Sequence, residues 1–274
     1  MNVQRAEFDE RDRIETPGHS SKGNQPKWTT ADRWYKADFM GYEGLAEVLI
    51  SRLLKYSNVP EYVKYDPVSI LYDGKTVPGC SSLNFRKKGE ILISIERLHR
   101  AYHGIGLALR LARMELDEKI RYTVDFVEET TGMSHFGPYL TMMLELDCFF
   151  LNEDRHTNNI AVIRNESTGE YRLCPIYDNG LSLLSDLRDY PPEQDLYTSI
   201  AKVEAKPFDQ DFDVQVEAAE VLYHPQLKLS FSRQNVQNEL AGLKEYYSED
   251  VIYRVEKIIL EQMRKYPVFF QNRT

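Results

Sequence analysis

The chain has 274 residues, a formal net charge of -9 at pH 7 and a hydrophobic share of 42%. That composition is typical of a soluble globular protein with one large core or two modest ones. The acidic balance argues against broad binding to a nucleic-acid backbone. No apolar run approaches the ~18 residues of a membrane span, and the charged N-terminus lacks the pattern of a signal peptide. We therefore expect a cytoplasmic protein without a nucleic-acid partner.

The first part of the chain, residues 1–98, alternates β-prone runs with one helix and is predicted to form a small mixed domain. Residues 73–79 are predicted to form a turn or an ordered loop. The expected elements are strands over Lys27–Thr29, Arg33–Lys36, Tyr62–Leu71 and Glu90–Ile95, and a helix over Tyr42–Leu54.

The second part, residues 99–274, is predicted to be a larger helical domain built around one hairpin. Pro138 suits the first turn of a buried central helix that ends near Leu151. The hairpin consists of a strand from Ile160 to Ile163, a turn over 165–169 and a return strand over Tyr171–Tyr177. Ser248 is expected to cap the last helix. The predicted fold class is α+β with two lobes.

The three cysteines, Cys80, Cys148 and Cys174, are odd in number, widely spaced and set in apolar surroundings. This arrangement predicts neither a disulfide framework nor a zinc site. We expect buried, reduced thiols.

Two polar segments flank the predicted hairpin: residues 152–159 before it, and Tyr177-Asp178-Asn179-Gly180 after it. The hairpin should bring Asp178 back beside Asp154 and Asn159. Such polar residues also cap helices and form Asx-turns, but the whole ordered set favours a function. Carboxylate and amide oxygens suit Mg²⁺ bound with phosphates and water. In phosphoryl transfer, Asp154 would face the acceptor hydroxyl while Asn159 and Asp178 hold the metal.

The segment Asp154-Arg155-His156-x-x-Asn159 resembles the catalytic loop of phosphatidylinositol 3- and 4-kinases, and it is also similar to that of the HipA-like serine/threonine kinases. Four other segments resemble parts of the HipA-like kinases and follow one another in the same order as in that family. Residues 19–27 resemble its phosphate loop and residues 34–38 its lysine strand. Residues 42–47 resemble its glutamate helix and residues 95–98 its hinge. The resemblance implies a two-lobed kinase-like fold, ATP and Mg²⁺ as cofactors, and a compact branch without the amino-terminal subdomain of HipA.

Lys36, near the end of a strand, is expected to bridge phosphate oxygens of ATP. An edge lysine that blocks strand aggregation is the alternative. Its glutamate partner would be Glu43 or Glu47, one turn apart on the same helix face. The resemblance favours Glu43, and either glutamate could instead be an ordinary surface residue.

The resemblance also implies that Ser20, Ser21, Lys22 and Gly23 cradle the phosphates, although the same residues are typical of a flexible linker. Ser20 or Ser21 would then be a site of autophosphorylation that expels the loop. For adenine, the resemblance implies the backbone of Glu96 and Leu98.

Three further features stay open at the level of sequence. His156 is interpreted as a scaffold residue, and Arg155 as a partner of either phosphate or a carboxylate. The acidic run over 185–195 is interpreted as a solvated loop. If it contacts substrate, a basic peptide is expected.

The predicted function is transfer of the γ-phosphoryl group of ATP to a serine or threonine hydroxyl of a protein substrate, together with autophosphorylation of the chain itself. The alternatives are a phosphoinositide kinase, a nucleotide-binding pseudokinase that acts as a scaffold, and a nucleotidyl transferase. The sequence indicates neither the oligomeric state nor the identity of the substrate.

Overall fold

The computed structural model describes residues 3–14 and 25–271. Its strands are β1 (Arg5–Glu7), β2 (Lys27–Thr29), β3 (Arg33–Ala37), β4 (Tyr65–Tyr72), β5 (Lys75–Leu83), β6 (Glu90–Ser94), β7 (Ala161–Asn165) and β8 (Tyr171–Leu173). Its α-helices are α1 (Glu43–Leu53), α2 (Ile95–His103), α3 (Leu107–Leu111), α4 (Leu116–Thr131), α5 (Phe136–Phe150), α6 (Leu196–Ala201), α7 (Phe212–Tyr223), α8 (Arg233–Ala241) and α9 (Glu249–Lys265).

The small lobe is a five-stranded sheet in the order β1-β4-β5-β3-β2, against which α1 packs. All its pairs are antiparallel except β1 with β4. On β3, Lys36 lies opposite Cys80 of β5 and Lys27 of β2. Helix α1 is buried along almost its whole length, with Leu45, Val48 and Leu49 fully inside the core. The helix and the lysine strand therefore have a fixed relative position.

Residues 73–79 differ from the prediction of a turn or loop. Only Asp73 and Gly74 form the turn, both with positive φ, as a two-residue hairpin requires. From Lys75 onward the chain is β5, which pairs with β4 from Lys75 to Ser82. The Asp-Gly pair was the available sequence signal for this hairpin.

A second sheet, in the order β6-β7-β8, belongs to the larger lobe. Because β6 pairs with β7, the chain passes from the first sheet to the second within residues 84–89. The domain boundary at residue 98 stays a prediction. The return strand is also shorter than predicted: β8 ends at Leu173, and Ile176 makes a single parallel bridge to Tyr62 of the small lobe.

The large lobe is centred on α5, which packs mainly against α7, α4 and α9. Leu140, Leu144 and Phe149 of α5 are fully buried, as the predicted central helix requires. The helix ends where Leu151 adopts positive φ, and the polar loop follows at once. Ser248 caps α9 through the N–H of Val251, as expected.

The three thiols are free and buried. Within residues 3–14 and 25–271, no helix combines the length and the apolar character needed to cross a membrane.

Candidate active site

The lysine of β3 lies between two carboxylates at the junction of the lobes. Lys36 Nζ donates to Glu47 Oε1 at 2.5 Å and to Asp178 Oδ1 at 2.6 Å. Asp178 belongs to the loop after β8 and has a φ of 59°, a conformation that aspartate tolerates better than most residues. Three residues from a strand, a helix and a loop are thereby joined in one ion-pair network.

Burial and charge set the protonation of this network. Burial lowers the pKa of Lys36, but the carboxylates of Asp178 and Glu47 outweigh it, so the net pKa lies well above the ordinary value. Burial opposes ionisation of Asp178, yet Lys36 and Lys27 hold its pKa below the usual range. The lysine is therefore an ammonium and Asp178 a carboxylate, the charges that phosphate and metal binding need.

Glu47, and not Glu43, is the partner of Lys36, which corrects the preference drawn from the family resemblance. Glu43 lies at the start of α1 and accepts from the backbone N–H groups of Phe39, Met40 and Gly41. A carboxylate that already receives these bonds at a helix N-terminus is held away from β3. Glu47, one turn further along, has a side chain that is 0% exposed.

Arg155 organises the loop over 152–159 from inside the protein. Its guanidinium donates to both carboxylate oxygens of Asp147 on α5, at 2.8 and 3.0 Å. It also donates to the carbonyls of Asn159 and Tyr177, and to Asn179 Oδ1. The sequence left open whether Arg155 pairs with phosphate or with a carboxylate. At 1% exposure its side chain is fully engaged in the scaffold.

Asn179 connects this scaffold to the ion-pair network. Its backbone N–H donates to Glu47 Oε2 at 2.9 Å while its side chain accepts from Arg155. The chain of contacts thus runs from Lys36 through Glu47 and Asn179 to Arg155. Strand β3 and the loop over 152–159 are consequently held by one continuous set of polar contacts.

Asp154 lies at the tip of this loop. Its Oδ2 and its carbonyl both accept from Asn159 Nδ2, at 3.1 and 2.8 Å. His156 Nε2 is 3.7 Å from Asp154 Oδ1, and the interpretation of His156 as a scaffold residue stays a prediction. The pKa of Asp154 lies above its ordinary value, mainly because the carboxyl is buried. The charges of His156 and Lys206 oppose this shift, and the charge of Asp178 adds to it.

The residues expected to hold magnesium fit a site of that kind. Asp178 and Asn159 supply a carboxylate and an amide oxygen, and Asp154 Oδ1 is buried without a hydrogen-bond partner in the described part of the chain. Mg²⁺ is usually held by one or two carboxylates plus phosphates and water, so a carboxylate and an amide oxygen suit it.

Glu96 and Leu98, whose backbone is predicted to contact adenine, lie in the first turn of α2, which Ser94 caps. The contact with adenine stays a prediction. The Glu96 N–H donates to the Thr157 carbonyl. Its carboxylate accepts from the Thr157 hydroxyl at 2.8 Å and from the Ala108 N–H at 2.9 Å. Glu96 therefore braces the catalytic loop. By topology, the segment that joins the two sheets is 84–89.

The predicted phosphate loop, Ser20, Ser21, Lys22 and Gly23, lies outside the described residues. The acidic run over 185–195 differs from a simple solvated loop. Asp186 is buried and forms an isolated bridge with Gly41, next to the start of α1. Gly41 is required there, because a Cβ would lie 2.2 Å from the Ser185 carbonyl oxygen.

The structure also adds residues that the sequence analysis did not assign. Asp147 anchors Arg155, and its position five residues before the polar loop gave no distinctive signal. Lys206, from the loop between α6 and α7, has its Nζ 3.8 Å from Asp154 Oδ1.

No protein-family model matches the sequence, and no curated protein matches it. Among solved structures, the chain is similar to the crystal structure of a Helicobacter pylori proinflammatory kinase, CtkA, with a TM-score of 0.63. The two chains are 15% identical over 96% of this chain and 95% of the other. At this identity the likeness is one of fold. The predicted α+β, two-lobed, protein-kinase-like fold is confirmed.

Proposed function

We propose that this protein is a kinase that uses ATP and Mg²⁺ to phosphorylate serine or threonine hydroxyls of a protein. The observation that carries the proposal is the junction of Lys36, Glu47 and Asp178 beside Asp154 and Asn159, within a kinase-like fold. Phosphoryl transfer needs a cation at the phosphates, metal ligands and an acceptor-orienting carboxylate in this arrangement.

Each residue has a definite task in the proposed reaction. Lys36, oriented by Glu47, would bind oxygens of the α- and β-phosphates. Asn159 and Asp178 would hold Mg²⁺, which neutralises developing charge on the phosphates when bound. Asp154 would orient the acceptor hydroxyl and receive its proton. The scaffold of Arg155 and Asp147 would keep these groups in place without touching the substrate, since positioning provides much of the catalysis.

The test is an incubation of the full chain with Mg²⁺ and either γ-labelled or α-labelled ATP. A generic basic protein and phosphoinositide vesicles are offered in separate reactions. We expect label from the γ-position on serine or threonine of the protein substrate, on the chain itself, or on both. D178N, which keeps the shape but removes the charge, should abolish the labelling.

The other outcomes separate the alternatives. Label from the α-position would indicate nucleotidyl transfer, and labelled vesicles would indicate a lipid kinase. ATP binding without transfer would indicate a scaffold, and full transfer by D178N would refute the assigned site. Mass spectrometry of self-labelled protein tests whether Ser20 or Ser21 is the modified residue. An active chain without phosphate at either serine would contradict the proposed autophosphorylation of that loop.

A further inference from the structure

A lysine from a distant part of the chain lies beside Asp154. Lys206 lies in the loop between α6 and α7, and its Nζ is 3.8 Å from Asp154 Oδ1. His156 Nε2 lies 3.7 Å from the same oxygen. Both separations are too long for a direct hydrogen bond, so the two groups surround Oδ1 without bonding to it.

Oδ1 of Asp154 is the oxygen that a substrate would meet. It is buried and lacks a hydrogen-bond partner among residues 3–14 and 25–271, whereas Oδ2 accepts from Asn159. A buried carboxylate oxygen without a donor is costly, so its partner is expected to arrive with the substrate. A hydroxyl that donates to Oδ1 would lie beside the ammonium of Lys206.

The loop that carries Lys206 is held firmly. Gln215 of α7 is fully buried, and its side chain donates to the Lys206 carbonyl while accepting from the Phe208 N–H at 3.0 Å. Lys119 Nζ donates to the Phe208 carbonyl at 3.0 Å. The Phe208 side chain is buried. The backbone from Lys206 to Phe208 is thus fixed by hydrogen bonds to buried or distant side chains.

We propose that Lys206 is a further catalytic residue, whose ammonium contacts the phosphoryl group during its transfer to the hydroxyl at Asp154. This inference rests on the proposed kinase function. The acceptor oxygen forms a bond to the γ-phosphorus, and the bond to the β–γ bridging oxygen breaks with its electron pair leaving on ADP. The hydroxyl proton passes to Asp154. Negative charge on the equatorial oxygens of the phosphoryl group is stabilised by Lys206.

Lys36 does not make this role redundant. Its ammonium is already bound to Glu47 and Asp178, and its proposed contacts are with the α- and β-phosphates. Lys206 has no comparably short ion pair in the described structure: its contact with Asp154, at 3.8 Å, is the one found there. Its side chain is 35% exposed, so it can reach an incoming substrate.

The first test compares K206Q with K202Q, which changes an exposed lysine of the same region. K206Q should lower kcat by about 100-fold or more, the usual effect of losing one transition-state donor. ATP affinity and the midpoint of thermal unfolding should stay near those of the wild type, and K202Q should match the wild type throughout. A wild-type kcat for K206Q would overturn this inference and leave the proposed kinase function standing. A wild-type chain that transfers no phosphoryl group would overturn the proposed function and this inference together.

The second test restores the cation chemically. K206C treated with 2-bromoethylamine gains an ammonium at nearly the length of lysine. The native thiols should react slowly, because burial raises the pKa of Cys148 and Cys174 to about 12 and that of Cys80 well above its ordinary value. Recovery of kcat in treated K206C, with no change in treated K202C, supports a catalytic ammonium. A folded, ATP-binding K206C that stays inactive after complete modification would overturn it.

Discussion

The ammonium of Lys36 lies 2.6 Å from a carboxylate oxygen of Asp178, so a strand of the small lobe and a loop of the large lobe meet in one ion pair. Glu47 completes the contact from α1. The relative position of the two lobes and the ion pairs of the candidate site are therefore linked.

The first prediction concerns this linkage. K36M should abolish turnover and destabilise the fold by about 3–5 kcal/mol, because a buried carboxylate loses its partner. K36M/E47Q should recover part of that stability, since the uncompensated charge of Glu47 is removed, but no turnover. Urea unfolding and a phosphoryl-transfer assay measure the two effects. K64M, at an exposed position, is the control. A double variant no more stable than K36M would contradict the linkage.

The second prediction separates chemistry from binding at Asp154. D154N should lower kcat by about 10²–10⁴-fold, the usual contribution of a positioned acid–base group. ATP affinity should change little, because Lys36 and Asp178 remain. Single-turnover kinetics measure the rate of phosphoryl transfer, and equilibrium nucleotide binding measures the affinity for ATP. D117N on α4 is the matched control. Transfer by D154N at a rate near that of the wild type would rule out the assigned role.

The third prediction concerns the scaffold. R155M should destabilise the protein by about 3–5 kcal/mol, because Asp147 is fully buried and loses its charge partner. R155K should fall between R155M and the wild type, since an ammonium lacks the planar fork that binds both oxygens of Asp147. Denaturant unfolding ranks the three proteins. A loss below about 1 kcal/mol in R155M would show that the scaffold is not anchored there.

The fourth prediction is a pH dependence of stability set by Glu145 on α5. Burial, then a hydrogen bond with Glu220, raises the pKa of Glu145 to about 8 from an ordinary 4.5. Above pH 4.5 the unfolded chain has lost this proton while the folded protein keeps it. Stability should therefore fall as pH rises from 4.5 to about 8, by at most about 1.4 kcal/mol per pH unit.

E145Q should flatten this dependence, because an amide does not titrate. Unfolding free energies between pH 5 and 8 test the prediction, with E129Q at an exposed site of α4 as the control. Equal pH slopes for E145Q and the wild type would show that another group is responsible.

Local patterns were sufficient for much of the site. The hairpin pattern, with its turn over 165–169, predicted that Asp178 would lie beside Asp154 and Asn159. In the structure Arg155 joins the two segments, because its guanidinium donates to the carbonyls of Asn159 and Tyr177. Hairpin geometry depends on near neighbours in sequence, which is why a sequence pattern is enough.

One prediction was wrong where a local signal was overlooked. Asp73-Gly74 is a hairpin turn, so β5 could have been predicted in place of a turn or an ordered loop over residues 73–79. Ser94 with Arg97 is a helix cap, so α2 could have been predicted as well.

By itself, the sequence determined the α+β class, most of the strands and the set of residues suited to phosphoryl transfer. Only the tertiary structure decided that Glu47 contacts Lys36 while Glu43 binds the backbone at the start of α1, because both glutamates lie on one helix face and the packing of α1 on the sheet selects between them. It also placed Lys206 beside Asp154 and Asp147 beneath Arg155. The contact of Lys206 with Asp154 joins segments far apart in the chain, and no periodicity or spacing records it.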